Sequence, residues 1–462
     1  MITRIQGTLT AADSKRHIPH TFDLPAGTTQ LEIRFRYTVA RRGRIENLLC
    51  LTLFDPIGWR GAGHRSGARQ MIHLSEHRAT PGYVAGPLPS GTWTLVIDAH
   101  QVQANEPCPY VIELTASAEA EATKPGPVAS TPRAPSARGP GWFRGDLHTH
   151  TVHSDAGWTV AALVAAAAER QLDFLALTDH NTVAGLDEFL RICPPQILPI
   201  VGEELTTFWG HALSLGTRQW IDWRIQPGVR SMPHIATDVA AAGGLFVIAH
   251  PASIGDPYCT GCSWEYTDMA PGSARVVEVW NGAWANDDSG NEGSLQTWYQ
   301  WLNQGHRLAA TAGSDAHGPH YYKVKPGFNV VYAKALTQEE LLAAIARGHL
   351  YLSVGPHLEL QGTNAKGQYA GMGEELQGPG IELTATWDQA PRRASLRLIT
   401  DGTPRDSHEV DARGARTWSL PPDAARWCVV ELRDRQGRMV ALTNPVYLGT
   451  ERASRGQGMP DL

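Results

Sequence analysis

The residues of this chain that are best suited to chemistry lie at the ends of short apolar segments. Histidine, aspartate or glutamate follows five such segments between residues 146 and 317. The nine side chains in this position are His148, His150, Asp155, His180, Glu204, His211, His250, Asp315 and His317. Crowding them together would be unfavourable without compensation, because like charges repel and a buried carboxylate loses its hydration. Divalent cations supply that compensation, so the pattern predicts a metal centre.

The residue types also indicate which cations would bind. Mixed imidazole and carboxylate ligands favour zinc, manganese or iron over magnesium and calcium, which prefer oxygen ligands alone. Nine ligands, shared three or four to an ion with one bridging carboxylate, indicate two or three divalent ions. His148 and His150 would face opposite sides of a strand, but both can turn onto one ion where the strand leaves the sheet.

Each of these residues also has an ordinary alternative role. A single histidine at a strand end can be a purely structural group, and an aspartate after a strand is commonly a helix N-cap. The metal interpretation therefore depends on the position that all nine residues share.

The elements that must position these side chains alternate between strands and helices over residues 142–357. Seven short apolar runs lie there, and helix signals separate several of them. Thr159 is a predicted N-cap, Pro233 begins a helix that ends before Gly243, and Thr337 opens a capping box. Such alternation predicts an α/β fold with a parallel, barrel-like core. In that fold the carboxyl ends of the strands converge on one face, which would gather the nine residues.

Both flanks have the pattern of β structure. Residues 1–118 alternate polar and apolar residues between turn signals, which predicts a β-sandwich. Residues 119–141 are rich in proline and alanine and predict a linker. Residues 358–450 predict a second, smaller β-sandwich, and residues 451–462 a tail. The barrel would thus lie between two β-sandwiches.

The composition excludes several classes of protein. Of the 462 residues 42% are hydrophobic and 19% charged, which is ordinary for a globular chain and excludes a disordered one. The formal charge of −6 gives no reason to expect nucleic-acid binding. The longest apolar run, residues 160–168, is too short for a membrane span. The first residues lack a hydrophobic signal segment, so we expect a cytoplasmic protein.

Cys259 and Cys262 have the spacing of a redox or zinc motif. A second cysteine pair that would complete a four-cysteine zinc site is missing from the sequence. A stiffening or labile disulfide is therefore the favoured interpretation of this pair.

The motifs around the nine residues resemble those of a known family. They are His-x-His with Ser-Asp, Thr-Asp-His-Asn, Gly-x-Glu with a following His, Ala-His-Pro and Ser-Asp-x-His. This set is similar to the PHP superfamily (polymerase and histidinol phosphatase domains) over about residues 142–357. Short turn motifs in the flanks, such as Thr443-Asn444-Pro445, resemble its carbaryl hydrolase-like (CehA/McbA) branch.

The resemblance implies a distorted (β/α)₇ barrel and an assignment of ligands to ions. One ion would take His148, His150 and Asp315, with Glu204 bridging to a second. The second ion would also take His211 and His250, and a third would take Asp155, His180 and His317. Either Glu203 or Glu204 could be the bridging ligand, and the Gly-x-Glu spacing after Gly202 favours Glu204. Ala156 replaces the glycine that often follows Ser-Asp in the family.

The resemblance also implies a hydrolase. We expect first a phosphoesterase, whose nucleophile would be a hydroxide bridging two ions. The alternative suggested by the branch is hydrolysis of a carbamate or carboxylic ester. An alternative of another class is a binding module on a catalytically dead PHP scaffold, although every ligand position of the family pattern is filled.

Residues outside the ligand set complete the expected site. Candidate catalytic residues are His153, Asn281 and His306, with His320 as a further proton donor. Candidate substrate-binding residues are Trp209, Tyr258, Arg307, Tyr321 and Lys323. Each has an alternative as an ordinary surface, turn or core residue. We expect a small-molecule substrate, no nucleic acid and no membrane partner, and leave homo-oligomer formation open.

Overall fold

The computed structural model of the protein describes residues 2–104, 106–119, 138–421 and 424–449. Most of the predicted linker and the whole predicted tail lie outside these residues.

The N-terminal part of the chain consists of two four-stranded antiparallel sheets and a two-stranded sheet of β4 and β5. The orders of the two four-stranded sheets are β1-β10-β3-β8 and β2-β9-β6-β7. In β3, Leu31, Ile33 and Phe35 are buried while Arg34 and Arg36 are exposed, and residues of both sheets share one apolar core. The finer description as a sandwich remains a prediction. The strands are β1 (Ile2–Leu9), β2 (Arg16–Leu24), β3 (Gln30–Tyr37), β4 (Arg41–Arg42), β5 (Ile45–Glu46), β6 (Leu48–Phe54), β7 (Trp59–Gly63), β8 (Arg69–Ser75), β9 (Gly91–Gln101) and β10 (Cys108–Ser117).

The central part of the chain alternates strands and helices. The predicted caps are present, since Thr159 Oγ1 accepts a hydrogen bond from Ala162 N and Thr337 Oγ1 accepts one from Glu340 N. The elements are β11 (Gly141–Asp146), α1 (Val160–Glu169), β12 (Phe174–Leu177), α2 (Leu186–Ile192), β13 (Leu198–Thr207), β14 (Gly210–Leu215), α3 (Met232–Ala241), β15 (Leu245–Ile248), β16 (Val276–Asn281), α4 (Asn291–Asn303), β17 (Ala309–Gly313), α5 (Pro319–Lys323), β18 (Phe328–Ala333), α6 (Gln338–Ala346) and β19 (Leu350–Ser353).

The central sheet is mixed rather than parallel. Parallel pairing joins β11 to β12, β12 to β13, β15 to β16 and β16 to β17. Strand β14 is antiparallel to both neighbours, because a tight turn at Phe208 and Trp209 sends the chain straight back along β13. Strands β18 and β19 also pair antiparallel, so the seventh apolar run of the sequence is not a parallel strand.

The predicted seven-stranded barrel is not confirmed, because the ladder of the described strands stops at β17. Between β17 and β18 the contact is made by a side chain. Asn329 Nδ2 donates to the Ala312 carbonyl over 2.6 Å, and Asn329 Oδ1 accepts from Ala312 N over 2.9 Å. An asparagine side chain thus satisfies backbone groups that a strand partner would otherwise satisfy.

The C-terminal strands continue the central sheet. Strand β28 pairs with β19, and the path runs on through β27, β24 and β25. A separate sheet, β21-β20-β23-β26, shares an apolar core with these strands. The predicted boundary at residue 357 stays a prediction, although the sheet itself crosses it. The strands are β20 (His357–Thr363), β21 (Tyr369–Gly371), β22 (Glu375–Gln377), β23 (Ile381–Asp388), β24 (Ala394–Thr400), β25 (Thr403–Val410), β26 (Gly414–Leu420), β27 (Trp427–Arg433), β28 (Met439–Thr443) and β29 (Val446–Gly449).

Among the described residues, none of the helices has both the length and the apolar character needed to span a bilayer.

Candidate metal centre

The strands of the central sheet deliver most of the predicted ligands at or just beyond their ends, but Glu204 lies within β13 and His211 near the start of β14. His148 and His150 follow β11, His180 follows β12, and His250 follows β15. Strands β12 and β15 are short apolar segments packed into the core, so their polar successors are the first residues free to face the cavity. His250 and Asp315 have positive φ angles of 28° and 49°. Such backbone is unfavourable for residues other than glycine and is concentrated at functional sites.

Glu204, in β13, is the centre of the cluster. It is 1% exposed, and five imidazole nitrogens surround its two carboxylate oxygens. The distances to Oε1 are 3.0 Å from His211 Nδ1 and 3.2 Å from His250 Nε2. The distances to Oε2 are 2.8 Å from His180 Nδ1, 3.2 Å from His148 Nε2 and 3.3 Å from His150 Nε2. One carboxylate is therefore placed to be shared between neighbouring cations.

Two aspartates extend the cluster on one side. Asp315 Oδ1 lies 2.9 Å from His150 Nε2 and 3.6 Å from His317 Nδ1. Asp155 Oδ1 lies 3.1 Å from His317 Nε2 and 3.5 Å from His180 Nε2. The structure thus brings all nine predicted ligands into one continuous cluster.

The cluster divides into overlapping groups whose donor atoms lie within 4.8 Å of one another. Three of the groups contain the three sets that the family resemblance implies, and Glu204 and His150 each belong to two of them. The assignment of ligands to ions remains a prediction. The groups are His148, His150, Glu204 and Asp315; then Glu204, His211 and His250; then His150, Asp155, His180 and His317.

Several buried atoms of these residues lack a hydrogen-bond partner. Carboxylate oxygens are close to some of them, as for His148 Nε2, but without hydrogen-bond geometry. Folded proteins satisfy nearly all buried polar atoms, so these atoms require another partner. Imidazole and carboxylate donors at this density fit divalent transition-metal ions. The atoms are His148 Nε2, His150 Nδ1, His150 Nε2, Glu204 Oε2, His211 Nε2 and Asp315 Oδ1.

The imidazoles of the cluster favour ionised carboxylates, and the carboxylates in turn outweigh burial and raise the pKa of four imidazoles, those of His148, His180, His250 and His317. Burial opposes ionisation of Glu204, but the imidazoles around it outweigh burial and hold the pKa of this carboxyl well below its ordinary value. Asp315, which faces His148 and His150, has its pKa depressed in the same way against its burial. Burial lowers the pKa of His150 to about 4, so its imidazole is neutral near neutral pH. Metals bind ionised carboxylates and neutral imidazoles, so a bound cation would replace the protons of the four imidazoles whose pKa is raised.

Glu278 in β16 is a member of the site that the sequence analysis missed. Its side chain is fully buried, and its Oε1 lies 3.1 Å from His148 Nδ1. Its Oε2 accepts a hydrogen bond from His250 N over 3.2 Å. A carboxylate on the far nitrogen of a metal-binding histidine fixes the orientation of the ring and increases its basicity. The available signal was a lone glutamate within the apolar run of residues 276–280.

Asn281, a predicted catalytic residue, lies at the end of the same strand. Its Nδ2 donates to Asp315 Oδ2 over 3.3 Å and to Glu278 Oε2 over 3.2 Å. Its Oδ1 accepts a hydrogen bond from Ser289. Asn281 therefore orients two carboxylates of the cluster as well as lining the cavity beside it.

The cluster opens into a cavity of about 790 Å³. Two of the predicted substrate-binding residues, Tyr258 and Tyr321, line it, as does His320. The N-terminal sheets contribute Arg44 and His64, which the sequence analysis did not consider. The His64 ring centroid is 4.7 Å from that of His180. Local sequence carries no signal for this contact, because it joins parts of the chain that are remote from each other.

Five of the predicted catalytic and substrate-binding residues are not among those that line the cavity. They are His153, Trp209, His306, Arg307 and Lys323.

His306 and Arg307 precede β17, whereas Asp315 follows it, so they lie at the opposite end of that strand. Arg307 instead pairs with Glu375 and stacks on Tyr447. The structure thus places Arg307 away from the cluster, and its predicted substrate-binding role stays a prediction.

The remaining three residues have other contacts or positions. His153 Nδ1 accepts a hydrogen bond from Gly82 N over 3.1 Å, and its Nε2 lies 3.5 Å from Glu188 Oε2, so it joins the N-terminal sheets to the central region. Trp209 lies in the turn between β13 and β14, with Lys15 Nζ over its ring at 5.6 Å. Lys323 is exposed at the end of α5.

Cys259 and Cys262 form a disulfide in a loop that lines the cavity. The carbonyl oxygen of Cys262 lies 3.2 Å from His250 Nδ1. The predicted disulfide is thus present in a loop that contacts one predicted ligand, and the choice between a stiffening and a labile bond stays a prediction.

Glu203, which the sequence analysis did not choose as the ligand, allows a test based on the pH dependence of stability. Its carboxyl is fully buried, accepts one hydrogen bond from Ile221 N and leaves Oε2 without a partner, so burial raises its pKa well above the ordinary value. The unfolded chain ionises this group at lower pH, so the free energy of unfolding falls as the pH rises past the ordinary pKa. We expect the free energy of unfolding of Glu203→Gln, relative to that of wild type, to rise by about 1 kcal/mol or more between about pH 4 and about pH 8. Urea denaturation of both proteins at each pH measures this difference, and a gap independent of pH would contradict it.

The comparisons with known proteins bear on this region. Residues 146–229 match the PHP domain family. The match contains six of the nine predicted ligands, from His148 to His211, while His250, Asp315 and His317 follow it. The sequence matches none of the curated proteins.

Three solved structures show limited similarity to the chain. A two-domain protein from Bacteroides vulgatus containing a predicted PHP-like metal-dependent phosphoesterase is 15% identical, with a TM-score of 0.39, over 70% of this chain and 100% of that one. A protein from Bifidobacterium adolescentis described as a metal-dependent phosphoesterase is 20% identical, with a TM-score of 0.29, over 44% of this chain and 94% of that one. An amidohydrolase from Chromobacterium violaceum with bound sulfate and no metal is 20% identical, with a TM-score of 0.26, over 38% of this chain and 88% of that one. The carbaryl hydrolase-like branch is not indicated by these matches and stays a prediction.

Proposed function

We propose that this protein is a metal-dependent phosphoesterase that acts on a small molecule at the cluster around Glu204. One observation carries the proposal. Three groups of candidate ligands are linked, one pair of groups through Glu204 and another through His150, and residues of all three groups line the same cavity. Adjacent cations in such a site suit a phosphoryl group, because its several oxygens can each interact with a different ion.

With three ions bound, the charge of the cluster would also favour an anionic substrate. Glu204, Asp155, Asp315 and the neighbouring Glu278 contribute four negative charges when ionised. Two divalent ions would balance these charges, and a third would leave a surplus of two positive charges. A positive cavity attracts a phosphate ester more strongly than a neutral carbamate.

Bound divalent ions would supply Lewis acidity and lower the pKa of a water molecule. The side chains of the protein then have separate tasks. Glu204 separates and orients the surrounding imidazoles, Glu278 holds the ring of His148, and Asn281 holds Asp315. These contacts fix the ligands before substrate arrives, which reduces the reorganisation required during reaction.

The cavity wall provides groups for the rest of the substrate. His320 lies outside the ligand groups and is available to carry a proton to the leaving oxygen. Tyr258 and Tyr321 offer aromatic surface for an organic leaving group. Arg44 lies at the same wall, with its Nη2 3.0 Å from Asp288 Oδ2, and offers a cation for a further anionic group.

A comparison of ester classes tests the proposal. The purified chain, loaded with Mn²⁺ or with Zn²⁺, is assayed with an aryl phosphate, a bis-aryl phosphate, an aryl methylcarbamate and an aryl acetate. We expect turnover of a phosphate ester that is lost with a chelator and in His211→Ala. His234→Ala, which changes an exposed histidine of α3, is the matched control and should retain full activity.

Two outcomes would contradict the proposal. Turnover of the carbamate or acetate alone would assign the site to another ester class. A fully metal-loaded protein inactive on every ester would indicate the binding module on an inactive scaffold.

A further inference from the structure

A second cluster of metal-binding side chains lies in the N-terminal sheet that contains β6, β7 and β9. Cys50 belongs to β6, His64 directly follows β7, and His100 belongs to β9. One donor atom of each residue lies within 4.8 Å of the other two. Cys50 is a free cysteine whose Sγ lies 3.5 Å from His64 Nδ1. None of the three belongs to the nine predicted ligands.

His100 provides an independent reason to expect a ligand. This residue is only 1% exposed, and neither nitrogen of its ring has a hydrogen-bond partner. The rings of Phe208 and Trp223 pack around it, with centroids 4.9 Å and 6.1 Å away. An imidazole has a polar atom at each nitrogen, so enclosing both among aromatic rings without partners is unfavourable. A hydrogen bond between Cys50 and His64 leaves this feature of His100 unexplained.

We propose that Cys50, His64 and His100 bind a zinc ion. A thiolate with two imidazoles is a donor set typical of zinc, whose preference is intermediate between soft and hard ligands. Binding would supply the partner that His100 lacks, and the thiol would release its proton on coordination. Three protein ligands leave the fourth position of a tetrahedral ion for water or another small ligand.

The position of His64 gives this site a relation to the larger cluster. Its ring centroid is 4.7 Å from that of His100 and 4.7 Å from that of His180. His64 also lines the cavity. A zinc ion would therefore fix the wall that the N-terminal sheets contribute to the cavity. The inference does not depend on the proposed hydrolysis, because it concerns a separate set of donors.

Cobalt substitution of the full-length protein tests the site. A bond between Co²⁺ and a thiolate gives a charge-transfer absorption that imidazole and carboxylate ligands do not give, and none of the nine predicted ligands is a cysteine. We expect this absorption in wild type and its loss in Cys50→Ser. Metal analysis of the zinc-loaded proteins should find one ion fewer per chain in Cys50→Ser.

Control variants separate Cys50 from the other thiols. Cys108→Ser changes another buried free cysteine of the N-terminal sheets and should keep both the absorption and the ion. The double change Cys259→Ser and Cys262→Ser removes the disulfide pair and should keep the cobalt–thiolate absorption. His211→Ala should lose hydrolysis but keep the cobalt–thiolate absorption, which distinguishes failure of this inference from failure of the proposed function.

Two results would overturn the inference. The first is a wild-type protein that lacks the cobalt–thiolate absorption after saturation with Co²⁺. The second is an absorption that persists in Cys50→Ser. If this variant does not fold, as judged by circular dichroism, His100→Gln replaces it. That variant should lose one zinc ion per chain, and an unchanged zinc content would overturn the inference equally.

Discussion

Replacing Glu204 with glutamine is expected to abolish hydrolysis and to release metal at the same time. Five imidazole nitrogens lie within 3.3 Å of its carboxylate oxygens, so this one charge is shared across the cluster. The amide has nearly the same shape but carries no charge and offers only one acceptor oxygen. We expect kcat/KM for the phosphate ester to fall by about 10³-fold or more. Steady-state kinetics and metal analysis of the same preparation measure both effects.

Glu203→Gln is the matched control for this change. Glu203 is the preceding residue of β13 and equally buried, but its Oε1 accepts a hydrogen bond from Ile221 N instead of facing the cluster. Its metal content and kcat/KM should equal those of wild type. Full metal content and more than a tenth of wild-type activity in Glu204→Gln would show that the shared carboxylate is not required.

Replacing Glu278 with glutamine is expected to weaken metal binding by about 10–100-fold. Glu278 Oε1 lies 3.1 Å from His148 Nδ1, on the side of the ring away from Glu204. Loss of its charge makes the imidazole less basic and less firmly oriented. Titration of the metal-free protein with Mn²⁺ or Zn²⁺ measures the affinity. Because Glu278 acts through His148, excess metal should restore most of kcat.

Glu431→Gln is the control for removing a buried carboxylate from a strand. Glu431 is 3% exposed in β27 and accepts a hydrogen bond from Tyr299. Along the sequence, Glu431 lies far from the predicted ligands. Its replacement should leave the metal affinity unchanged. An unaltered affinity in Glu278→Gln would show that this carboxylate does not orient a metal ligand.

The two results differ because the residues have different positions relative to the ions. Glu204 belongs to two of the candidate ligand groups, so its loss cannot be compensated by a higher metal concentration. Glu278 contacts the backbone of His250 as well as His148, so its loss leaves the other donors in place. Restoration by metal therefore separates a shared ligand from a residue that orients one.

The sequence alone was sufficient to find the nine residues of the cluster. A charged residue at the end of a buried apolar strand is a local pattern, because the strand must stay in the core while the next residue can leave it. The caps at Thr159 and Thr337 were also predictable, because the capping hydroxyl and the helix N–H that it satisfies lie within four residues of each other in the sequence.

Strand direction and the remaining site residues required the tertiary structure. Strand β14 is antiparallel because of a single tight turn, which apolar periodicity does not distinguish from a loop. Glu278 lies within an apolar strand, where only its contact with His148 reveals a function. Arg307 precedes β17 and therefore lies at the end away from the cluster, although it is only eight residues from Asp315.

The contribution of the N-terminal sheets depends entirely on how the chain packs. Cys50, His64 and His100 are separated along the sequence and meet because β6, β7 and β9 are neighbours in one sheet. His64 then reaches His180, which belongs to the central region. Local patterns determine which residues can leave a strand or begin a helix, whereas contacts between distant segments are decided by the packing of whole sheets against one another.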